Sequence, residues 1–364
     1  MGKIKYLQVQ VLRKFMVNVF IKLGVPPKDA RICADVLISS DLKGIETHGV
    51  NRLGMYVRRI KKGIQRPFTK IQVIKDKKGI AVWDGNHGMG QVIAHHAMIK
   101  AIEKAEEYGI GCVVVRNSTH FGIAGYYTEM AAQSNMIGIS CTNARPSVTP
   151  LFGVTPTFGT NPLSFAAPSD LAYPFIYDAA TSIVQRGKIE VNARINKKVP
   201  EKLVIDKQGD PLTEPREILS KILSKTASFL ALGGDSEEMG GHKGYGLATI
   251  IEILSSALQQ GYFLGHLSGV RNGKNVHHCL GHFFMAINIE MFTEIENFKK
   301  TVGNILRGMK NAKLAPGHRK IYVAGEKEYL NALRIREEGI PVNQNLMEEL
   351  FNIQDELAIA KPIY

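Results

Sequence analysis

Three short stretches concentrate polar residues that apolar packing does not require. In Asp41-Leu42-Lys43-Gly44-Ile45-Glu46-Thr47-His48-Gly49-Val50-Asn51-Arg52, a guanidinium able to grip a carboxylate in a bidentate fork stands four residues from an imidazole able to carry a proton. In Arg116-Asn117-Ser118-Thr119-His120-Phe121-Gly122, a second imidazole sits where a strand gives way to a helix, a place from which α/β proteins commonly present catalytic side chains. In Gly240-Gly241-His242-Lys243-Gly244-Tyr245-Gly246, a flexible run with a lysine leads into a helix. That setting suits an anion, because backbone N–H groups and the helix dipole both favour negative charge. Each stretch also has a plain structural reading: a capped helix with a surface ion pair, a histidine satisfied within the fold, a simple connection.

Other chemistries lack their signatures. No GxxxxGK[ST] occurs, and Gly303-x4-Gly308-Met309-Lys310 misses it by one residue; no GxGxxG follows a strand, so neither a P-loop nor a Rossmann dinucleotide fold is indicated. His277-His278-Cys279-x2-His282 resembles a metal cluster in composition only. In a strand its neighbouring side chains point to opposite faces and cannot converge on one ion, so no metal is expected.

The elements that must position these residues follow from hydrophobic periodicity. Val9, Leu12, Phe15, Met16, Val19, Phe20 and Leu23 predict a first helix stopped by Gly24, and Ala30, Cys33, Ala34, Leu37 and Ile38 a second ending near Gly44. Thr47 is the expected N-cap of a third helix reaching Gly63, with His48 and Arg52 on one face near its positive end. Strands at 71–75, 80–84, 112–116, 137–142, 163–167, 175–178 and 283–289 are expected, with helices at 90–108, 125–134 and 245–260. Helices at 293–307, 327–338 and 345–359 close the chain. Between them lie a long Thr/Pro/Gly-rich loop at 143–162 and a polar, mobile segment at 196–217.

The chain has 364 residues, which at about 150 residues per domain suggests two domains. With 45% hydrophobic and 22% charged residues it is globular, and no apolar run approaches the ~20 residues of a membrane span. Cys33, Cys112, Cys141 and Cys279 lie far apart and are expected as reduced thiols, and the N-terminus lacks a signal-peptide core, so the expected location is cytoplasmic. The net charge of +13 comes from scattered Lys and Arg, the densest runs being Arg58–Lys62 and Lys75–Lys78. Neither is interleaved with aromatics, so a solvated basic surface is favoured over nucleic-acid binding.

Taken together the motifs resemble the malate/L-lactate dehydrogenase family of NAD(P)-dependent oxidoreductases, which is unrelated to the Rossmann-type lactate and malate dehydrogenases. The resemblance covers Asp41–Arg52, Asn117–Tyr127, Gly138–Pro146, Gly159–Pro162, Asp178–Ser182 with Gly187-Lys188, Gly240–Leu247, Phe283–Ile287 and Gly325-Glu326. It implies an α+β fold, with a helical, substrate-side domain from 1–115 and 295–364 and an NAD(P)-binding domain at 116–294 around a largely antiparallel sheet, not a Rossmann fold. It also implies a homodimer, a cofactor that is NAD or NADP, and hydride transfer to or from a small anionic 2-oxo/2-hydroxy acid, with malate/oxaloacetate foremost. Sulfolactate, lactate, ureidoglycolate, diketogulonate or a cyclic imine are alternatives within the family, and a non-catalytic anion- or nucleic-acid-binding protein is the rival outside it.

By the same resemblance His120 moves the proton, with His48 the other candidate, and His48, Arg52 and Thr47 hold the substrate. Asp178 orients a catalytic imidazole or contacts the cofactor. Asn143, Thr160, Asn161, Asp178, Ala179, Ala180, Thr181, Ser182, His242, Lys243, Gly325 and Glu326 line the nucleotide. The chain departs from the common pattern at Phe152-Gly153-Val154 and Ala324-Gly325-Glu326.

Overall fold

The computed structural model describes residues 4–271 and 273–360; Met1-Gly2-Lys3, on which part of the expectation for the N-terminus rests, and 361–364 lie outside the described residues. β1 (Lys5–Leu7) leads into α1 (Val9–Lys22), after which Gly24 turns the chain at φ +89°. α2 (Pro27–Leu42) opens with proline in its first turn, where the missing N–H costs nothing. A 3-10 turn at Val50–Arg52 then precedes α3 (Leu53–Lys61).

Thr47 is therefore not the cap of α3, and His48 and Arg52 do not share a helix face. The buried Asp41 carboxylate, at the end of α2, accepts the Val50 N–H at 2.8 Å, so the turn is capped from a neighbouring helix. The Thr47 hydroxyl meets the His48 ring instead.

The chain continues as β2 (Gln72–Lys77), β3 (Ile80–Asp84), α4 (Gly90–Tyr108), β4 (Ile110–Ser118), α5 (Gly125–Gln133), β5 (Met136–Thr142), β6 (Leu163–Ala167) and β7 (Phe175–Ala179). Then come α6 (Arg186–Arg194), β8 (Val204–Asp206), α7 (Pro215–Leu223), β9 (Ala227–Phe229) and α8 (Gly241–Leu254). β10 (Val270–Arg271), β11 (Lys274–Asn275), β12 (Leu280–Asn288), α9 (Ile295–Lys310), α10 (Glu326–Glu338), β13 (Ile340–Val342) and α11 (Gln344–Glu356) complete it.

Seven strands join in the order β2-β3-β4-β12-β5-β6-β7, with only β3 and β4 parallel. The fold is α+β with a largely antiparallel sheet and not a Rossmann fold. The sheet runs from Gln72 to Asn288, so it takes β2, β3 and most of β4 from the 1–115 segment. Its central strands are apolar on both faces because helices cover both. Val113, Val115 and Phe284 pack under α4 and α5, while Val114, Phe283 and Cys141 face Ile251 of α8.

The two ends of the chain meet in a separate helical core. Phe15, Met16 and Phe20 of α1, Leu37 of α2, Leu53 and Tyr56 of α3, and Leu350 and Ile353 of α11 are buried together, and β1 pairs with β13. The segment expected to be polar and mobile folds into a third small core, where Ile189, Val199, Val204, Leu212, Ile218 and Phe229 are buried around the β8–β9 pair. Its apolar residues are sparse in sequence, yet enough to seal a small unit.

Candidate active site

The site forms where the helical core meets the end of β4. From below, Asp41 fixes the backbone at Val50, and Gly49 passes so close to that carboxylate that a Cβ there would lie 1.8 Å from Oδ1. Burial pushes the Asp41 carboxyl up to about 8. The turn so held presents Thr47, His48 and Arg52. Thr47 Oγ1 meets His48 Nδ1 at 2.8 Å, and Arg52 Nε donates to the Thr47 carbonyl at 2.5 Å.

From above, the loop after β4 is pinned by Thr119, whose hydroxyl accepts the Gly90 N–H at 2.9 Å and donates to the Gly88 carbonyl at 2.8 Å. His120 follows directly. Its ring stacks on that of His48, with centroids 5.7 Å apart and planes 16° from parallel. Tyr56 Oη, from α3, lies 2.6 Å from His120 Nδ1, and the Gly122 N–H points at the same nitrogen from 3.3 Å. An amide can only donate, so Nδ1 accepts and the proton of the neutral ring sits on Nε2. Burial lowers both histidines, His48 to about 3 with help from Arg52, and His120 well below the usual range with help from His48, Arg59 and Arg52. Both rings are neutral near pH 7.

Arg52 is not idle. Its Nη2 lies 3.6 Å from Glu190 Oε2 on α6, and Arg186 Nε holds the other oxygen of Glu190 at 2.9 Å. α6 can approach this closely because residue 187 is glycine, where a Cβ would lie 2.6 Å from Thr47.

A further arginine, Arg59, follows Tyr56 on the same helix, and sequence reading missed it along with Tyr56. Arg59 lies one turn beyond Tyr56 on α3 and two turns beyond Arg52, and the i, i+4, i+7 spacing of Arg52, Tyr56 and Arg59 was the available signal. In the basic run Arg58–Lys62, Arg58 and Lys61 do pair outward with Glu349 and Glu356. Arg59 turns inward, and burial, followed by Arg145, Arg52 and Arg58, pulls its guanidinium down to about 10. Arg145 is lowered by desolvation and by Arg186.

The residues expected to line the nucleotide divide into two groups. Asn143 and Asn161 are fully buried and committed to the fold: both amides reach Glu252, at 3.4 and 2.8 Å, and their carbonyl oxygens accept the Gly281 and Ala144 N–H groups. The Thr160 carbonyl accepts from Thr181. Asp178 joins no imidazole among the described residues; its Oδ2 accepts the Gly125 N–H at 2.6 Å at the start of α5, and burial raises it to about 6.

The second group lies around β7 and the start of α8, with Thr181, Ser182 and Glu326 buried. Ala179 ends β7, Ala180 and Thr181 follow, and the buried Ser182 hydroxyl has no hydrogen-bond partner. Leu232 donates to the Thr181 carbonyl, and Gly244 packs onto Leu232 so tightly that a Cβ would lie 2.0 Å from its oxygen. The first turn of α8, with exposed His242 and Lys243, is thereby set beside Ser182. α8 starts at Gly241, earlier than the periodicity predicts, with Gly240 left-handed ahead of it at φ +82°. At the opposite end of β7, Gly325 adopts φ +90° against Pro174 and Ile176. Burial alone would raise the Glu326 carboxyl, but Lys320 and Lys310 at 2.7 and 3.0 Å hold it at about 2.

The His/Cys run diverges. His277 stacks on His87 at 3.9 Å and bonds the Ile64 carbonyl, His278 packs against Gly269, and His282 stacks on Phe121 while bonding Thr142. Among the described residues no three His, Cys, Asp or Glu side chains gather as metal ligands.

Comparison with known proteins bears on the family and the fold. A family model described as malate/L-lactate dehydrogenase matches residues 7–351. A malate dehydrogenase of Pyrococcus abyssi is 44% identical over 94% of this chain and 92% of its own, and a malate/(S)-sulfolactate dehydrogenase of Methanothermus fervidus is 38% identical over 95% and 96%. The crystal structure of malate dehydrogenase from Entamoeba histolytica superposes with a TM-score of 0.96 at 42% identity, covering 99% of this chain and 100% of that one.

Proposed function

Because the chain belongs to the malate/L-lactate dehydrogenase family and is a hydroxy-acid dehydrogenase, we propose that it interconverts malate and oxaloacetate using NAD or NADP. The observation that carries this reading is the stacked His48–His120 pair with Tyr56 behind one ring and Arg52 beside the other.

A bound nicotinamide would supply or accept the hydride at C2. Ser182, whose buried hydroxyl lacks a partner, and the exposed Lys243 and His242 on the first turn of α8 fit a phosphate-bearing dinucleotide. Gly325, at the far end of β7, is assigned to the same ligand, while the Glu326 carboxylate beside it is taken by Lys310 and Lys320.

The substrate's carboxylate takes the Arg52 fork, displacing Glu190, with Thr47 and His48 alongside. His120 exchanges the proton at the substrate oxygen through Nε2. Negative charge entering the cleft opposes the depression of the histidines, so the imidazolium becomes accessible in the complex. Tyr56 suits both states, because a hydroxyl donates to a bare Nδ1 and accepts from a protonated one. Exposed Ile250, Ile253, Leu258 and Phe263 offer an apolar face for the homodimer that belongs to this reading.

The test follows loss of reduced-nicotinamide absorbance, with NADH and NADPH in parallel, against oxaloacetate, sulfopyruvate, pyruvate, 2-oxoglutarate and a cyclic imine. Fast turnover of oxaloacetate is expected. Turnover confined to another member of the panel would reassign the substrate, and no binding of either cofactor would overturn the reading.

A further inference from the structure

The fork that a substrate carboxylate needs is already taken. A guanidinium grips a carboxylate through Nε with Nη2 or through Nη1 with Nη2, so either grip of Arg52 requires Nη2. That nitrogen lies 3.6 Å from Glu190 Oε2 and so near Gly187 that a Cβ there would come within 3.2 Å of it, while Nε donates to the Thr47 carbonyl. The space left among Thr47, Arg52, Gly187, Glu190 and Arg194 amounts to about 10 Å³, room for one water at most. An acid cannot take the Arg52 fork while α6 stays where it is.

α6 is held there by contacts that water or a ligand can replace. Besides the pairing of Glu190 with Arg52, Arg194 Nη1 donates to Asn51 Oδ1 at 2.9 Å in an exposed hydrogen bond. The apolar anchor of α6 lies in a different core. Ile189 is buried with Val199, Val204, Ile218 and Phe229, and among the described residues no side chain of α6 belongs to the helical core that carries the turn. Parting α6 from the turn therefore breaks polar contacts of the kind that contribute least to a fold, and leaves both cores whole.

We propose that α6 is a lid over the substrate turn, closed by Glu190 in place of the substrate's carboxylate, and that it lifts from Arg52 and Asn51 to admit the acid. The inference rests on the reading of Arg52 as the holder of the substrate's carboxylate and adds the step that controls access to it. The closed lid and the acid compete for one guanidinium, so the apparent affinity is lowered in proportion to the open fraction.

The experiment ties the lid down. In the folded Asn51→Cys/Arg194→Cys protein a short bifunctional maleimide joins α6 to the turn, and the two single-cysteine variants treated in the same way account for reaction at the native thiols, of which Cys33, Cys141 and Cys279 are buried. The tether should lower kcat/KM for oxaloacetate by about 10²-fold or more against these controls, while fluorescence titration shows unchanged binding of reduced cofactor. Equal turnover in the tethered protein and the controls overturns the lid and leaves the oxidoreductase reading intact; controls and wild type that turn over no 2-oxo acid overturn both. Loosening the lid gives the opposite sign: Glu190→Gln/Arg194→Ala should lower KM for oxaloacetate about three- to tenfold, the worth of two surface polar contacts. A KM that is unchanged or raised in that variant refutes the proposal, because α6 would then not compete with the acid.

Discussion

Two regions of this chain gather like charge, and they handle it in opposite ways. At the start of α10, Lys310 and Lys320 close on the Glu326 carboxylate, which is thereby held at about 2. Around α3, Arg52 meets one carboxylate, Glu190, at 3.6 Å, which Arg186 also holds, Arg59 has no ion pair among the described residues, and burial together with these cations keeps His48 and His120 neutral. The first cluster is complete and stabilises the fold. The second is left short of negative charge, which the proposed acidic substrate would supply. Imbalance, more than the amount of charge, separates a binding site from a structural network.

The sharpest way to break this contrast is to remove the proton carrier. His120→Asn should lower kcat by about 10²- to 10⁴-fold while fluorescence titration shows unchanged binding of reduced cofactor; retained turnover would transfer the role to His48. Arg52→Lys comes next. An ammonium cannot reproduce the fork, so KM for the 2-oxo acid should rise about 10- to 100-fold with kcat less affected, and an unchanged KM would remove Arg52 from the substrate.

On the balanced side, Glu326→Gln leaves two lysines facing each other. A loss of about 2 kcal/mol, or roughly 2–4 °C in Tm for a chain of this length, is expected. The two clusters also differ in acid. His48 has a folded pKa near 3 against about 6.5 unfolded, so its contribution is present above pH 6.5 and is lost as pH falls from there toward 3. Glu326 contributes above about 4.3 and loses that contribution as pH falls toward 2. Glu326→Gln should therefore leave the decline between pH 6.5 and 4.5 in place, while saturating malate, by raising the folded histidine pKa, should shrink it; urea melts at stepped pH check both. The smallest effect is expected from Glu190→Gln, which frees Arg52 and should lower KM two- to threefold, of the order of a surface ion pair. A raised KM would mean that Glu190 helps to hold the substrate.

Much of this could be read from the sequence for definable reasons. Helices such as α1 and strands such as β12 follow from apolar spacing, and His48, Arg52 and His120 stand out because no packing need explains them. What escaped depends on partners distant in the chain. Nothing local says that Arg59 turns inward while Arg58, its neighbour, pairs with Glu349. Asn143 and Asn161 look like ligand-binding amides until Glu252, far along the chain, absorbs them. Thr47 has the chemistry of a cap, but Asp41 arrives there first.

The Arg52–Glu190 pair makes binding at that position an exchange, one carboxylate for another, with no net change in the number of charges in contact. Such a swap is nearly indifferent to added electrolyte, because the counter-ion atmosphere sees the same pair before and after. Affinity for the acid that changes little across a salt titration would be the mark of that exchange.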